Sequence, residues 1–136
     1  MTAGTALPDL LLVEPEALLR RTVVLTARAA NLANMTEAAS LASARSLLSR
    51  RRFDGAVIAV DVDAAEIEGG PLALLDFLKG TRSNNDAAMP VAVMLARCDA
   101  ALLASLRSYG VNRVIIKPFR ARAVIDAIVE LGKSAR

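Results

Sequence analysis

Three charged residues of this sequence each directly follow a short apolar segment. Glu14, Asp61 and Lys117 come after residues 9–13, 56–60 and 111–116, respectively. Short, continuous apolar segments are typical of buried strands in a parallel sheet, and ligands bind at the carboxyl ends of such strands. A carboxylate there could ligate a divalent cation or act as a nucleophile, and an ammonium could neutralise an anion. The sequence therefore predicts a charged site at one edge of a parallel sheet.

Two residue types limit the catalytic chemistry of the chain. It contains no histidine, which excludes Ser-His-Asp and Cys-His catalysis and zinc sites that use imidazole. Its one cysteine, Cys98, has no partner for an intramolecular disulfide, and we interpret it as a small, partly buried side chain. This cysteine usage, together with an N-terminus that lacks the pattern of a signal peptide, predicts a cytoplasmic protein.

Charge and hydropathy also bear on the partners of the chain. The net charge is +3, but the arginines are spread along the sequence and aromatic residues make up only 3%. Nucleic-acid-binding domains usually concentrate basic charge and add stacking aromatic rings, so we expect no direct contact with nucleic acid. The apolar segments are too short to span a bilayer, so we expect no membrane partner.

Apolar and amphipathic segments alternate along the sequence. Apolar segments predict five strands, at residues 9–13, 33–36, 56–60, 91–95 and 111–116. Helical spacing predicts five helices, at residues 16–30, 40–52, 72–79, 99–109 and 120–134. The apolar face of the first helix is expected to consist of Leu18, Leu19, Val23, Leu25, Thr26 and Ala29. This alternation predicts an α/β fold with a doubly wound parallel sheet, for which we choose the strand order 2-1-3-4-5.

Three local motifs accompany this order of elements. Phe53-Asp54-Gly55 precedes the third strand, Gly110 precedes the fifth, and Lys117-Pro118-Phe119 follows the fifth. In these features the chain resembles, over essentially its whole length, the receiver domain of bacterial response regulators. The resemblance implies a flavodoxin-like fold of five parallel strands and five helices. It implies one domain over residues 9–134 after a tail at residues 1–8. In many receivers the bond that corresponds to Lys117–Pro118 is cis, whereas trans is the general default for X–Pro bonds, and the sequence leaves both alternatives open.

Four positions that carry the chemistry of receivers are altered in this sequence. The phosphoacceptor aspartate of the family corresponds to Ala59, and its second Mg²⁺-binding acid corresponds to Pro15. The hydroxyl residue that senses the phosphoryl group corresponds to Leu95, and the switch aromatic corresponds to Val114. A methyl group is no nucleophile, and neither alanine nor proline offers the side-chain oxygen that Mg²⁺ needs. The resemblance thus implies a pseudo-receiver that is not an enzyme and holds no metal or other cofactor.

Glu14 and Lys117 are the acid and the lysine of the receiver site that remain. An unpaired buried ammonium is costly, and we place Glu14 at the end of an adjoining central strand. We therefore predict an ion pair between Glu14 and Lys117 that imitates the constitutive state of the site.

Asp61 is the alternative phosphoacceptor. It lies two residues after Ala59 and therefore on the same face of an extended strand. If Asp61 accepts a phosphoryl group from a histidine kinase, the chain is a working response-regulator receiver that depends on Mg²⁺. The span from Asp54 to Ala59, which matches the family without a gap, favours the pseudo-receiver.

The resemblance also implies a surface for partners, formed by the fourth helix, the fifth strand and the fifth helix. Receivers often use this face for dimers and partners, and here it carries Arg107, Arg113, Arg120 and Arg122 among small apolar residues. The partners implied are a histidine kinase, another receiver or an attached output domain, with a homodimer as a further alternative. Arginines on a solvated helix surface would give the same pattern.

Overall fold

The computed structural model describes residues 6–60, 72–80, 85 and 88–134, in which five strands alternate with five helices. The strands are β1 (Asp9–Val13), β2 (Asn34–Ala38), β3 (Gly55–Ala59), β4 (Val91–Leu95) and β5 (Arg113–Ile116). The helices are α1 (Ala17–Ala29), α2 (Leu41–Arg50), α3 (Ala73–Lys79), α4 (Ala100–Ser108) and α5 (Ala121–Ser134). None of these described helices is long and apolar enough to cross a membrane.

The five strands form one parallel sheet in the predicted order, β2-β1-β3-β4-β5. The register aligns their carboxyl ends, as the pairs Val13–Ile58, Ala59–Met94 and Leu95–Ile116 show. Residues that follow these strands therefore leave the sheet at one edge. The α/β architecture predicted from the sequence is confirmed.

Alternate residues of the central strands contribute to two cores, one on each face of the sheet. Leu11 and Val93 pack on the face covered by α2, α3 and α4. Leu10 and Met94 pack on the opposite face, covered by α1 and α5. Because both faces are covered, these strands are apolar at every position after Asp9 of β1 and give no alternating pattern.

The buried face of helix α1 overlaps only in part with the one predicted. Val23 is buried as predicted, together with Val24 and Ala27, which the prediction left out. Leu18 and Leu25, which were also assigned to the apolar face, are 75% and 46% exposed. The prediction was wrong for these leucines because the helix carries apolar residues on both sides, so spacing alone does not identify the side that faces the core.

The Asp54-Gly55 motif fixes the start of β3 against β1. The amide of Asp54 donates to the carbonyl of Asp9 at 2.7 Å, and the amide of Asp9 donates to Asp54 Oδ2 at 2.8 Å. A Cβ atom at Gly55 would lie 3.1 Å from Leu10 Cδ2 and 3.2 Å from the Pro90 carbonyl oxygen. Close packing of neighbouring strands therefore favours glycine at this position, since a larger residue would push Leu10 and the Pro90 carbonyl aside.

Two helix starts and one helix end have local causes in the sequence. The side chain of Ser40 accepts a hydrogen bond from the amide of Ser43 and caps α2, and Asp99 caps α4 through the amide of Leu102. Gly110 has a φ of +77° just after α4, a conformation that favours glycine. The predicted helices 40–52 and 99–109 therefore began one residue too early, at the cap residue, and they also ran past the observed ends at Arg50 and Ser108.

The described part of the predicted tail already belongs to the fold. The carbonyl of Pro8 accepts a hydrogen bond of 2.9 Å from the amide of Asn34, at the start of β2. The sheet ladder therefore begins one residue before β1.

Candidate functional site

The predicted ion pair lies at the carboxyl edge of the sheet. Lys117 Nζ donates to Glu14 Oε1 at 2.7 Å. The side chain of Glu14 is only 2% exposed, whereas that of Lys117 is 27% exposed. The pair therefore joins a buried carboxylate to an ammonium that still reaches water.

The pair spans a longer distance across the sheet than the sequence suggested. Glu14 follows β1 and Lys117 follows β5, and both β3 and β4 lie between those strands. Neighbouring strands lie about 4.8 Å apart, so β1 and β5 are separated by roughly 14 Å. The prediction that the two residues end adjoining strands was wrong. Two long side chains bridge the gap across the ends of β3 and β4, where Ala59 contributes only a methyl group.

Arg20 completes the surroundings of Glu14, and the sequence analysis missed it. Arg20 Nη1 donates to the backbone carbonyl of Glu14 at 2.8 Å, and Arg20 Nε donates to Glu37 Oε1 at 3.1 Å. Glu14 Oε2 also accepts the amide of Glu16 at 3.1 Å. Lys117 pairs with Glu14, and Arg20 pairs with Glu37. Because each cation has a carboxylate partner, these four side chains together carry no net charge that would attract an ion.

The other predicted site positions supply no side-chain oxygen. Pro15 is exposed and Ala59 is half-buried at the end of β3. Leu95 is fully buried in the core on the α2–α4 face, and Val114 packs against the same core. Asp61 lies outside the described residues.

A divalent cation does not fit the part of the site that the structure describes. Among residues 6–60, 72–80, 85 and 88–134, no cluster of three acidic or thiol side chains is placed to hold a metal ion. Glu14, the acidic side chain that remains next to Pro15 and Ala59, is already engaged by Lys117. The donors present therefore favour internal pairing over the octahedral oxygen shell of Mg²⁺.

The four arginines predicted as an interaction surface differ in their partners. Arg113 pairs with Glu130 at 3.3 Å and Arg122 pairs with Asp126 at 3.2 Å, both within the fold. Arg107 on α4 and Arg120 before α5 are exposed. Ile116 lies on the same side of the molecule at the end of β5 and is 47% exposed. The sequence assigned Ile116 to a buried strand, although β5 is the edge strand of the sheet.

The Lys117–Pro118 peptide bond is cis, the alternative found in many receivers.

Tyr109, just after α4, contacts α3 through its hydroxyl, which donates to Asp76 Oδ1. That hydrogen bond, burial and the negative charge of Asp76 all raise the pKa of Tyr109, with the hydrogen bond as the largest cause. Each disfavours the phenolate, which can no longer donate and is repelled by the carboxylate. The contact joins α3 to the residue that follows α4, within the layer of helices α2, α3 and α4.

The pKa of Tyr109 is expected to lie above the value of about 10 that an unperturbed tyrosine shows. The contact should therefore stabilise the fold fully below that pH, and its contribution should be lost as the pH rises through the folded-state pKa. Tyr109 is the only tyrosine of the chain, so the absorbance of tyrosinate reports this group alone. Asp76→Asn should lower the pH midpoint of the tyrosinate titration of Tyr109. An unchanged midpoint in that variant would contradict the contact with Asp76 as the cause of the raised pKa.

Comparison of the sequence with family models and with curated proteins gave no match. In structure, the chain is similar to a CheY-like response regulator receiver domain protein from Methanospirillum hungatei, with a TM-score of 0.75, 16% identity and coverage of 95% of this chain and 97% of that chain. The receiver domain of Francisella response regulator 1452 gives a TM-score of 0.75 at 18% identity, with 95% and 99% coverage.

A third similar structure is the receiver domain of the sensor histidine kinase PA1611 from Pseudomonas aeruginosa, which has a magnesium ion coordinated in its active site cleft. Its TM-score is 0.73 at 17% identity, and the match covers 94% of this chain and 99% of that chain. Together these neighbours show that the chain has the CheY-like fold of response-regulator receiver domains.

Proposed function

We propose that this chain is a non-catalytic pseudo-receiver, a protein-interaction module of bacterial two-component-type signalling that aspartyl phosphorylation does not control. In this proposal it is not an enzyme, needs no cofactor and acts in the cytoplasm. Its partners are signalling proteins: a histidine kinase, another receiver or an attached output domain. The receiver fold supports the signalling context, and the residues at the carboxyl edge of the sheet support the loss of phosphoryl chemistry.

The Glu14–Lys117 ion pair is the observation that carries the proposal. In receivers the acids at this edge bind Mg²⁺, as the coordinated magnesium of the PA1611 receiver illustrates. Here Pro15 and Ala59 offer no oxygen, and the buried Glu14 is neutralised by Lys117 at 2.7 Å. A cation would have to displace that ammonium and would gain only one carboxylate from these positions. The two charged residues of the receiver site that remain, Glu14 and Lys117, thus neutralise each other.

The surface of α4, β5 and α5 supports an interaction role. It combines exposed Arg107 and Arg120 with exposed Ile116, whose branched side chain is apolar. Apolar groups bordered by arginine are typical of protein interfaces, where charged lysine and glutamate are depleted. A second copy of the chain is an alternative occupant of this surface.

A titration with Mg²⁺, followed by beryllofluoride as a phosphoryl mimic, tests the proposal by amide NMR. We expect no saturable shift of Glu14, Lys117 or their neighbours in the wild-type chain. The reason is that two of the oxygen ligands are absent and the remaining carboxylate is held by an ammonium.

The variant Pro15→Asp/Ala59→Asp is the matched positive control. It restores the two carboxylates that the receiver pattern places at these positions, so its amide signals near Glu14 should shift with Mg²⁺. A saturable shift in the wild-type chain that Asp61→Asn abolishes would overturn the proposal. That result would instead establish Asp61 as the acceptor of a working, Mg²⁺-dependent receiver.

A further inference from the structure

A cleft lies at the amino edge of the sheet, between the end of α1 and the start of β2. Its volume is about 270 Å³. Helix α1 ends and β2 begins at this edge, whereas Glu14 and Lys117 follow their strands at the carboxyl edge. The cleft is therefore separate from the ion pair and from the positions that carry the chemistry of receivers.

The inner part of the cleft is apolar. Leu7, Val24, Ala33 and Met35 line it. Val24 and Ala33 belong to the core between α1 and the sheet, and Met35 packs against the same core. Leu7, two residues before β1, is half-buried. A ligand in this cleft would cover apolar surface that the packing of α1 on the sheet leaves accessible.

The polar residues that line the cleft have no partner within the fold. They are Arg28, Asn31 and Asn34, and all three are exposed. Within residues 6–60, 72–80, 85 and 88–134, none of their side chains forms a hydrogen bond or an ion pair. The planar guanidinium of arginine can hold one carboxylate through two parallel N–H donors. The cleft thus combines an apolar interior with one cation that matches the charge of a single carboxylate.

The end of α1 does not need the Arg28 side chain. Basic residues in the last turn of a helix often donate to its terminal carbonyls. Here the carbonyls of residues 26, 27 and 28 already accept backbone amides of the residues that follow α1, at 3.1, 3.0 and 3.0 Å. The guanidinium of Arg28 therefore keeps its donors for another partner.

The open edge of the sheet supplies a backbone donor beside the cleft. Strand β2 is an edge strand, and the amide of Asn34 donates to the carbonyl of Pro8 on the β1 side. Backbone groups of successive residues point to opposite sides of a strand, so the amide of Met35 points away from β1. Because Met35 also lines the cleft, this amide can donate to an acceptor bound there.

We propose that this cleft binds a small monocarboxylate with an apolar body. The carboxylate pairs with Arg28 and accepts the amide of Met35, and the apolar body contacts Val24 and Ala33. A water molecule takes up about 30 Å³ of the liquid, so the cleft holds a ligand of roughly ten non-hydrogen atoms. A phosphate dianion would leave one charge without a partner, because Arg28 is the one cation that lines the cleft. The inference goes beyond the interaction role proposed above and does not depend on the residues at the carboxyl edge.

Phenylacetate tests this inference on the whole chain. Its uncharged isostere phenylacetamide removes the charge, and acetate removes the apolar body. We expect phenylacetate to shift the amides of residues 28–35 saturably in NMR spectra, with a dissociation constant in roughly the millimolar range. Phenylacetamide and acetate should each bind at least roughly fivefold more weakly, and inorganic phosphate should give no saturable shift of these amides.

Three variants assign the binding to the cleft. Arg28→Gln removes the guanidinium at an exposed position and should weaken phenylacetate by roughly tenfold while leaving phenylacetamide unchanged. Met35→Gln removes apolar contact but no charge, so it should weaken both compounds by a similar factor. The matched control Arg21→Gln makes the same charge change at another exposed position of α1, outside the cleft, and should leave the binding of both compounds unchanged.

Three results would overturn the inference. They are the lack of a saturable shift of residues 28–35 with phenylacetate, equal binding of phenylacetate and phenylacetamide, and an equal loss of phenylacetate binding in Arg21→Gln and Arg28→Gln. The last result would assign the binding to the overall positive charge of the helix. A saturable response to Mg²⁺ and beryllofluoride would overturn the proposed lack of phosphorylation and leave the result at the cleft untouched. The two failures are therefore distinguishable.

Discussion

Lys117→Met is expected to lower the free energy of unfolding by about 3–4 kcal/mol, and Glu14→Leu by about 2–3 kcal/mol. Breaking a buried pair leaves an uncompensated charge, and the two charges differ in their access to water. Glu14 is 2% exposed, so Lys117→Met leaves a carboxyl group buried without its partner, whereas Lys117 is 27% exposed and its ammonium can be solvated. The larger loss should therefore follow removal of the lysine.

The double variant Glu14→Leu/Lys117→Met should be more stable than the sum of the two single losses predicts, by about 3 kcal/mol, and should therefore lose no more than Lys117→Met alone. It leaves no unpaired charge, and two apolar side chains of similar length can pack over the ends of β3 and β4. Buried ion pairs replaced by apolar groups often cost little or nothing. Urea unfolding of the wild-type chain and the three variants, followed by far-ultraviolet circular dichroism, gives all four free energies.

The exposed pair Arg122–Asp126 provides the matched control for this cycle. It has a similar separation, 3.2 Å, but its side chains are 83% and 46% exposed. Arg122→Met/Asp126→Leu should show a coupling of no more than about 0.5 kcal/mol, as is usual for surface pairs. If the Glu14–Lys117 cycle gave a coupling as small as this, the pair would not be what stabilises the carboxyl edge of the sheet.

A large coupling would also support the proposal that the site needs no metal ion. In a receiver that binds Mg²⁺, the acids at the carboxyl edge repel each other until the cation neutralises them. Here the ammonium of Lys117 already neutralises Glu14, and Arg20 and Glu37 form a second pair beside it. Because the neutralising charge is covalently part of the chain, the site has one stable electrostatic state.

The central strands of the sheet were predictable because they are apolar over nearly their whole length. The bounds of β1 and β4 were predicted residue for residue, since both faces of these strands are buried. Edge strands gave weaker signals: β2, with the sequence Asn-Met-Thr-Glu-Ala, extends two residues further than predicted. Helix α1 was predicted in place, but only Val23 of its predicted apolar face is buried, because Leu18 and Leu25 are as apolar as Val23 and Val24.

The ion pair could be predicted, but its surroundings could not. Lys117 and Glu14 carry opposite charges and were predicted at the same edge of the sheet, so their charges alone were enough to predict the pair. Arg20 bonds a backbone carbonyl, and Asn85 bonds three backbone groups. Such contacts depend on where loops bring carbonyls and amides, and no residue pattern encodes that. Asn85 lies between the predicted helix at 72–79 and the predicted strand at 91–95, where the sequence indicated no element, although its side chain is buried.

Asn85→Ala is expected to lower the free energy of unfolding by about 3 kcal/mol. Asn85 Oδ1 accepts the amide of Phe53 at 2.6 Å, and Nδ2 donates to the carbonyls of Leu48 at 3.0 Å and Arg51 at 2.8 Å. The side chain thereby joins the end of α2 to the residues that lead into β3. Without it, one buried N–H and two carbonyl oxygens lose a partner, and each unsatisfied group costs about 1–3 kcal/mol before water enters.

Asn112→Ala is the matched control for Asn85→Ala. Asn112 Oδ1 also accepts a backbone amide, that of Val91 at 2.9 Å, but Asn112 is exposed and water can replace it. Its loss should cost about 1 kcal/mol. Chemical denaturation of both variants measures how much each lowers the free energy of unfolding. Equal losses would contradict the role assigned to Asn85.

Asn85→Asp distinguishes the hydrogen bond that Asn85 accepts from the two that it donates. The aspartate keeps an acceptor for the Phe53 amide but turns a carboxylate oxygen toward the carbonyls of Leu48 and Arg51, which repel it. We therefore expect a loss of stability at least as large as that of Asn85→Ala. Hydrogen exchange of the Phe53 amide, compared at equal global stability, should be faster in Asn85→Ala than in Asn85→Asp. Equal exchange in both variants would mean that the Asn85 oxygen does not protect that amide, and that the start of β3 is held by its pairing with β1 alone.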